Sequence, residues 1–338
     1  MKTVIIGSGS WGTGLGQILA DNKQDVVIYG VIVDEVIDIE RYHQNSKYFQ
    51  ELILNYDLHA TSDFSVVKEA DIIVLSVPSG VIDEVCMKVD AAIEKAVIVV
   101  NTAKGFHPQS HQRLSEVIRQ NFSKEHLKAV VNLIGPSHAE EVVLRMMTTV
   151  NAVSDNQEAA EIIQRLFSND YFRVYTSNDV IGSEIGVALK NITALASGIL
   201  SGLAIAGDNA KAALITRGLA EIVRYGLAKG GKLETFLGLT GIGDLVVTCT
   251  SEHSRNFQAG YQIGKHNSAK YFWENNTKTV EGVRACEIVY TEAKKLGIEM
   301  PIVEQIYKVL YEDAIPSECI NCLMNRELKP ETINYKSN

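Results

Sequence analysis

VIIGSGSWGTGLG, residues 4–16, places five glycines directly behind an apolar run and ahead of a helical one. Glycine loses more conformational entropy on folding than any other residue, so a cluster of them marks backbone that has to stay bare. Gly7, Gly9 and Gly12 form G-x-G-x-x-G, with Val4, Ile5 and Ile6 before it as a strand and Leu15, Ile18 and Leu19 after it at helical spacing. In such a strand–turn–helix the first Gly permits the tight turn. The second admits a pyrophosphate to the backbone, and the third lets helix pack on strand. The phosphates then meet unpaired N–H groups at the positive end of the helix. A loop that merely turns would carry the same three glycines, so the rest of the chain has to decide.

Strand-like apolar runs recur at 26–29, 72–77, 97–100 and 129–134, with helical patterns at 81–93 and 114–121. Near-continuous apolar strands belong in a parallel sheet covered on both faces, and their alternation with helices reads as α/β. Runs at 149–153 and 172–175 finish this half. From about 180 the pattern is helical, over 180–206, 208–229 and 232–237, with shorter pieces to about 325. The expected architecture is an N-terminal Rossmann dinucleotide-binding domain over 1–180 and an all-helical C-terminal substrate-binding and catalytic domain over 181–338. The site is expected in the cleft between them, and the polar tail 327–338 is expected to be loose.

Composition excludes several classes. The 338 residues are 46% hydrophobic and 22% charged with a formal charge of −9, which argues against a nucleic-acid partner while leaving room for a local basic pocket. The first strand is entered by Thr3, too early for a signal peptide, and five scattered cysteines suit a reducing compartment. A cytoplasmic location is expected. Cys319 and Cys322 have C-x-x-C spacing but no second pair, and Pro108 interrupts the i,i+4 spacing of His107 and His111. No metal is expected. Residues 185–207 imitate a membrane span, with Lys190 as their only charge. Four glycines, several polar residues and the lack of a flanking basic cluster favour the central helix of a soluble domain, without membrane insertion.

Six further motifs fall in one order: NTAKGF (101–106), IGPSHAEEV (134–142), ALKNITALASGI (188–199), TRGLAEI (216–222), GLTGIGDLVVTCTSEHSRNFQAG (238–260) and VEGV (280–283). From the first strand to about residue 312 the chain closely resembles the soluble, bacterial-type NAD(P)-dependent glycerol-3-phosphate dehydrogenases, most specifically over 188–199 and 238–260. The resemblance implies hydride transfer between NAD(P)H and dihydroxyacetone phosphate, giving sn-glycerol 3-phosphate for phospholipid synthesis, in a homodimer.

Read from the residues, Lys190 has two outcomes. Buried, its charge is disfavoured and its pKa falls toward that of a useful proton donor and acceptor; alternatively it snorkels to the surface. The resemblance selects the first and makes Lys190 the acid/base residue. Asp244, on the tight turn after Gly241-Ile242-Gly243, is then its partner, where a helix cap is the plainer reading. Arg255, between Ser254 and Asn256, presents a donor fork suited to phosphate. By resemblance Lys190, Asp244, Ser254, Arg255 and Asn256 bind substrate together with Lys104, Gly135, Ser137, Asn191 and Thr248. Cofactor contacts are implied for Gly7, Gly9, Ser10, Trp11 and Gly12, and for Lys104, Ala139, Arg255, Val280 and Glu281. A β-hydroxyacid or 6-phosphogluconate-type dehydrogenase shares the two-domain plan and a catalytic Lys but lacks GDLVVTCTSEHSRN. A nucleotide-sensing module without turnover has no use for Lys190, Asp244 and Arg255 together.

The choice of cofactor turns on the end of the second strand. A ribose 2′-hydroxyl is met there by an acid, a 2′-phosphate by an Arg. Many bacterial relatives carry Arg or His two residues past the aromatic that matches Tyr29. Here that residue is Val31, no base precedes Arg41, and Asp34 and Glu35 fall three or more residues late for a ribose contact. NADH is expected to serve at least as well as NADPH, unless a Lys or Arg from a distant loop, or Arg41 or Lys47 folding back, meets the 2′-phosphate.

Overall fold

Alternate side chains of the apolar strands enter two different cores. Val4, Ile6, Ile73, Leu75, Val97 and Val99 join one buried cluster, whereas Ile5, Ile28, Ile72, Val74 and Val100 join the other. With a side-chain period of two, this is a sheet buried on both faces. The computed structural model describes residues 1–205 and 207–331, and the chain divides into units Met1–Val180 and Ile181–Asn338. The first unit holds β1 (Lys2–Ile6), β2 (Asp25–Tyr29), β3 (His59–Thr61), β4 (Ile72–Leu75), β5 (Val97–Asn101), β6 (Leu127–Ile134), β7 (Thr148–Val153) and β8 (Phe172–Ser177). They form one sheet in the order β3-β2-β1-β4-β5-β6-β7-β8. Every neighbouring pair is parallel except β6 with β7.

The strand order reverses at β1, so the glycine turn leaves the carboxyl end of the strand at the switch point, where ligands bind in such sheets. The expected fold class is borne out. Three details differ. The short β3 and the helices Val33–Tyr42 and Gln157–Phe167 were not read from the sequence. β7 runs antiparallel to β6, because the chain returns through only the five-residue helix Ala139–Val143. The strand expected over 72–77 stops at Leu75, before Pro78, which has no N–H for a ladder.

In the second unit, Val180–Leu203 is a 24-residue helix. In its most apolar 18-residue window 89% of the residues are buried, so the stretch that imitates a membrane span is a core helix. Its glycines have a packing reason. A Cβ on Gly198 would lie 2.0 Å from the Phe257 carbonyl oxygen, and one on Gly202 would lie 2.2 Å from that of Tyr261. Reciprocally, Gly260 and Gly264 face the Leu195 and Ile199 carbonyl oxygens at 2.0 and 2.2 Å. Paired G-x-x-x-G faces bring Val180–Leu203 and Arg255–His266 into backbone contact, closer than side chains would allow. Cys319 and Cys322 share the helix Pro316–Met324, both as free thiols. The expectation of a loose tail falls largely on 332–338, outside the described residues.

Glu221, on the helix Asp208–Ala228, caps a different helix. The first turn of Pro301–Tyr311 has no side-chain cap of its own. Its Ile302 and Val303 N–H groups donate to the Glu221 carboxylate at 2.7 and 3.2 Å. These are orphan donors at the positive end of a helix. Burial nonetheless dominates and pushes the Glu221 carboxyl from 4.5 up to about 7. A raised carboxyl favours the folded state fully below its unfolded value, and that contribution fades as pH rises through 7. Unfolding in urea is expected to need less denaturant at pH 8 than at pH 5, with Glu221 accounting for about 3 kcal/mol. Glu221→Gln should flatten that slope; an equally steep slope in the variant would assign it to other groups.

Candidate active site

Lys190 projects from the middle of Val180–Leu203 with its side chain 4% exposed. Its Nζ donates to Asp244 Oδ1 at 2.5 Å and to Thr248 Oγ1 at 2.8 Å. Thr248 Oγ1 in turn donates to the Asp244 carbonyl oxygen at 2.6 Å. The local backbone explains the approach. Leu239–Gly243 is a single wide π turn, and Asp244 opens the helix Asp244–Thr250 directly after it. π turns are frequent where a helix is re-aimed at a functional site. A Cβ on Gly241 would strike the Phe236 carbonyl oxygen at 2.0 Å, and one on Gly186 would meet the Thr240 carbonyl oxygen at 2.7 Å. Gly186 lies one turn before Lys190, so the missing side chain there lets the π turn close on the lysine. Burial disfavours the ammonium while the adjoining carboxylate favours it.

A second buried chain runs beside this pair. Asn256 Nδ2 donates to Asn191 Oδ1 at 3.0 Å, and Asn256 Oδ1 accepts from the Gly282 N–H at 2.8 Å. Three helices are thereby tied at the residues named for substrate and cofactor. Val280 caps and Glu281 opens the third of them, Glu281–Leu296. Ser254 caps Arg255–His266, accepting from the Phe257 N–H at 3.3 Å. Arg255 itself is exposed at the first position of that helix. It lines an open cavity of about 780 Å³ with Lys211, Lys278 and Val280, and neither Lys190 nor Asp244 lines that cavity. Lys211 and Lys278 carry no motif in the sequence, since a solitary lysine has no pattern around it.

In the first unit, Lys104 Nζ and Ser137 Oγ both donate to the Gly135 carbonyl oxygen, at 3.3 and 3.2 Å. Residues from two strand ends thus converge on one carbonyl. Gly7 has φ +120°, and a Cβ there would lie 2.3 Å from the Ser76 carbonyl oxygen. A Cβ on Gly12 would lie 2.0 Å from the Gly7 carbonyl oxygen. Gly9 caps the helix Ser10–Asp21 with no side chain, and nothing stands within 4 Å of where its Cβ would be. Trp11 packs against the sheet core, and Ala139 begins its short helix, nearly buried.

Glu35 lies too late in the sequence for the end of β2, yet the helix Val33–Tyr42 folds it back onto the glycine turn. Ser8 Oγ donates to Glu35 Oε2 at 2.6 Å, and the carboxylate is 5% exposed.

Two family models, described as the N-terminus and C-terminus of NAD-dependent glycerol-3-phosphate dehydrogenase, match residues 2–160 and 179–321. The chain belongs to this dehydrogenase family. A relative from Lysinibacillus sphaericus, named glycerol-3-phosphate dehydrogenase [NAD(P)+], is 47% identical over 336 residues, 99% of each chain. One of the same name from Enterococcus faecalis is 44% identical, covering 98% of this chain and 97% of its own. The crystal structure of glycerol-3-phosphate dehydrogenase from Coxiella burnetii superposes with a TM-score of 0.87 at 33% identity, over 96% of this chain and 99% of that one. The glycine turn fits the dinucleotide that such dehydrogenases use: an uncapped helix N-terminus opens onto the space that Gly9 leaves empty. Among the described residues no group of three His, Cys, Asp or Glu is arranged to hold a metal.

Proposed function

We propose that this chain interconverts dihydroxyacetone phosphate and sn-glycerol 3-phosphate with NAD(P)H, the carrying observation being the buried Lys190–Asp244–Thr248 cluster in a member of this family. The nicotinamide, when bound, supplies or takes the hydride at C2 of the substrate. Lys190 gives a proton to the carbonyl oxygen as it becomes an alkoxide, so hydride and proton together make the secondary alcohol; in reverse Lys190 takes that proton back. Asp244 keeps the ammonium charged and aimed, and Thr248 fixes it from a second direction. Asn191 and Asn256 contact the substrate, and their mutual hydrogen bond holds the neighbouring backbone in register. Arg255 takes the substrate phosphate, with Ser254 setting the helix end that carries it. Lys104, Gly135 and Ser137 of the first unit bind substrate as well. Gly7, Gly9, Ser10, Trp11 and Gly12 form the dinucleotide cradle, and Lys104, Ala139, Arg255, Val280 and Glu281 touch the cofactor.

Residues 1–180 are thereby the dinucleotide-binding domain and 181–338 the substrate-binding and catalytic domain. The glycerol 3-phosphate produced feeds phospholipid synthesis in the cytoplasm, and the working form is a homodimer without metal, nucleic acid or membrane insertion. The net charge of −9 and the burial of Val180–Leu203 support the last two points. Loss of NADH absorbance on adding dihydroxyacetone phosphate tests the reaction directly; no loss with that substrate would overturn it.

Lys190→Met is expected to lower turnover by about 10²–10⁴ with cofactor binding retained, the usual share of general acid–base catalysis. Near-normal turnover in this variant would remove Lys190 from the chemistry. Arg255→Ala should raise KM for dihydroxyacetone phosphate by roughly tenfold or more, because a charged hydrogen bond contributes about 1.5–3 kcal/mol. Activity on unphosphorylated dihydroxyacetone should stay equally poor, and KM for NAD(P)H is measured alongside. A proportional loss on both substrates would mean that Arg255 does not read phosphate. The side chain of Val31 is exposed and offers no charge for a 2′-phosphate. We therefore expect kcat/KM with NADH to equal or exceed that with NADPH at one ionic strength. A preference for NADPH of about tenfold, or 1.4 kcal/mol, would reverse that assignment.

A further inference from the structure

The corner between the glycine turn and the end of β2 holds a polar cluster that the reaction does not explain. Glu35 is almost fully buried there, although a buried carboxylate has to be paired or hydrogen-bonded. Its Oε2 accepts from Ser8 Oγ at 2.6 Å, and its Oε1 accepts from Lys47 Nζ at 2.7 Å and Tyr48 OH at 3.3 Å. Ser8 is the residue between Gly7 and Gly9, and it abuts the end of β2: a Cβ on Gly30 would lie 2.7 Å from Ser8 Oγ. Asn45 braces the same turn, donating to the Ser8 carbonyl oxygen and to Thr13 Oγ1, each at 2.8 Å. One carboxylate therefore separates the glycine turn from the Lys47 ammonium. The lysine side chain is 56% exposed, against 5% for Glu35. The cation faces outward and its counter-ion is held inside.

In dinucleotide folds the 2′ position of the adenosine ribose is read beyond the end of β2. Val31, the residue at that place in the sequence, has no polar atom beyond its backbone. We propose that the Glu35–Lys47 pair reads the 2′ position instead: Lys47 meets a 2′-phosphate, while Glu35 ties the ammonium to Ser8 and offsets its charge. The pair presents an ammonium whose charge is offset from behind by the buried carboxylate. A ribose hydroxyl can accept from the ammonium, and a 2′-phosphate meets the cation with no unpaired acid beside it. Both NADH and NADPH are accommodated, and the balance between them is set by the pair. Glu35 is a positioning residue in this arrangement, and Lys47 is the contact. The inference rests on the reading of the first unit as the NAD(P) domain.

The test is binding without turnover, using 5′-AMP and 2′,5′-ADP as probes and calorimetry on the full chain at low salt. Lys47→Gln should weaken 2′,5′-ADP by about tenfold more than it weakens 5′-AMP, the size of one charge-assisted hydrogen bond. Glu35→Gln removes the counter-charge and should shift the ratio the other way, by about threefold or more in favour of 2′,5′-ADP. The NADPH-to-NADH ratio of dissociation constants, read by cofactor fluorescence, should move in the same two directions. Should the ratio stay within about twofold of wild type in Lys47→Gln, a variant at a largely exposed side chain, the assignment of the 2′ position to this pair is wrong. Failure of wild-type protein to bind either nucleotide would strike the domain reading itself, and the inference with it.

Discussion

A lysine ammonium cannot be left alone inside a protein. Lys190 is 3% exposed and Asp244 is 1% exposed, and their contact at 2.5 Å is what makes either position tolerable. Much of the second unit serves that contact. Gly186 and Gly241 remove side chains so that the π turn reaches the long helix. Thr248 adds a second acceptor for the lysine, and Ser197 Oγ, two turns further along that helix, donates to the Cys249 carbonyl oxygen at 2.9 Å. Replacing the pair by apolar residues would cost the fold little by general experience with buried ion pairs. A charge buried at this expense points to chemistry.

The same logic of removed side chains recurs in both units at different scales. In the glycine turn, absent Cβ atoms let backbone meet backbone within one strand–helix step and leave open space at Gly9. Between Val180–Leu203 and Arg255–His266, four glycines let two whole helices touch, and the second helix carries Arg255 at its start. Glycine costs stability in a helix, roughly 1 kcal/mol per residue against alanine, so this is backbone strength exchanged for position. Polar ties then hold what close packing permits: the Asn191–Asn256–Gly282 chain in the second unit, and the Ser8–Glu35–Lys47 chain in the first.

Legibility in the sequence followed the range of the interaction. The strand–turn–helix at 4–16 could be read because its glycines, apolar strand and helical spacing are all local. The helical second half was equally legible, since hydrophobic periodicity needs no partner to be seen. Arg255, flanked by Ser254 and Asn256, stood out as a motif, whereas Lys211 and Lys278, which line the same cavity, are 44 and 23 residues away from it in sequence. Glu35 stands six residues past the end of β2 in sequence, and only the ten-residue helix Val33–Tyr42 brings its carboxylate to Ser8.

By itself the sequence determined the local devices: an apolar strand ending in G-x-G-x-x-G, a long apolar helix with one lysine, and an acid after a Gly-Ile-Gly turn. Those follow from backbone freedom, side-chain period and polarity over a few residues. Only the tertiary structure decided pairings across long separations. It joined Lys190 to a carboxylate 54 residues on, Glu221 to a helix start 81 residues on, and β7 antiparallel to β6. The physical reason is that a buried charge or orphan N–H accepts whichever complementary group packing brings within reach, and packing is a property of the whole fold.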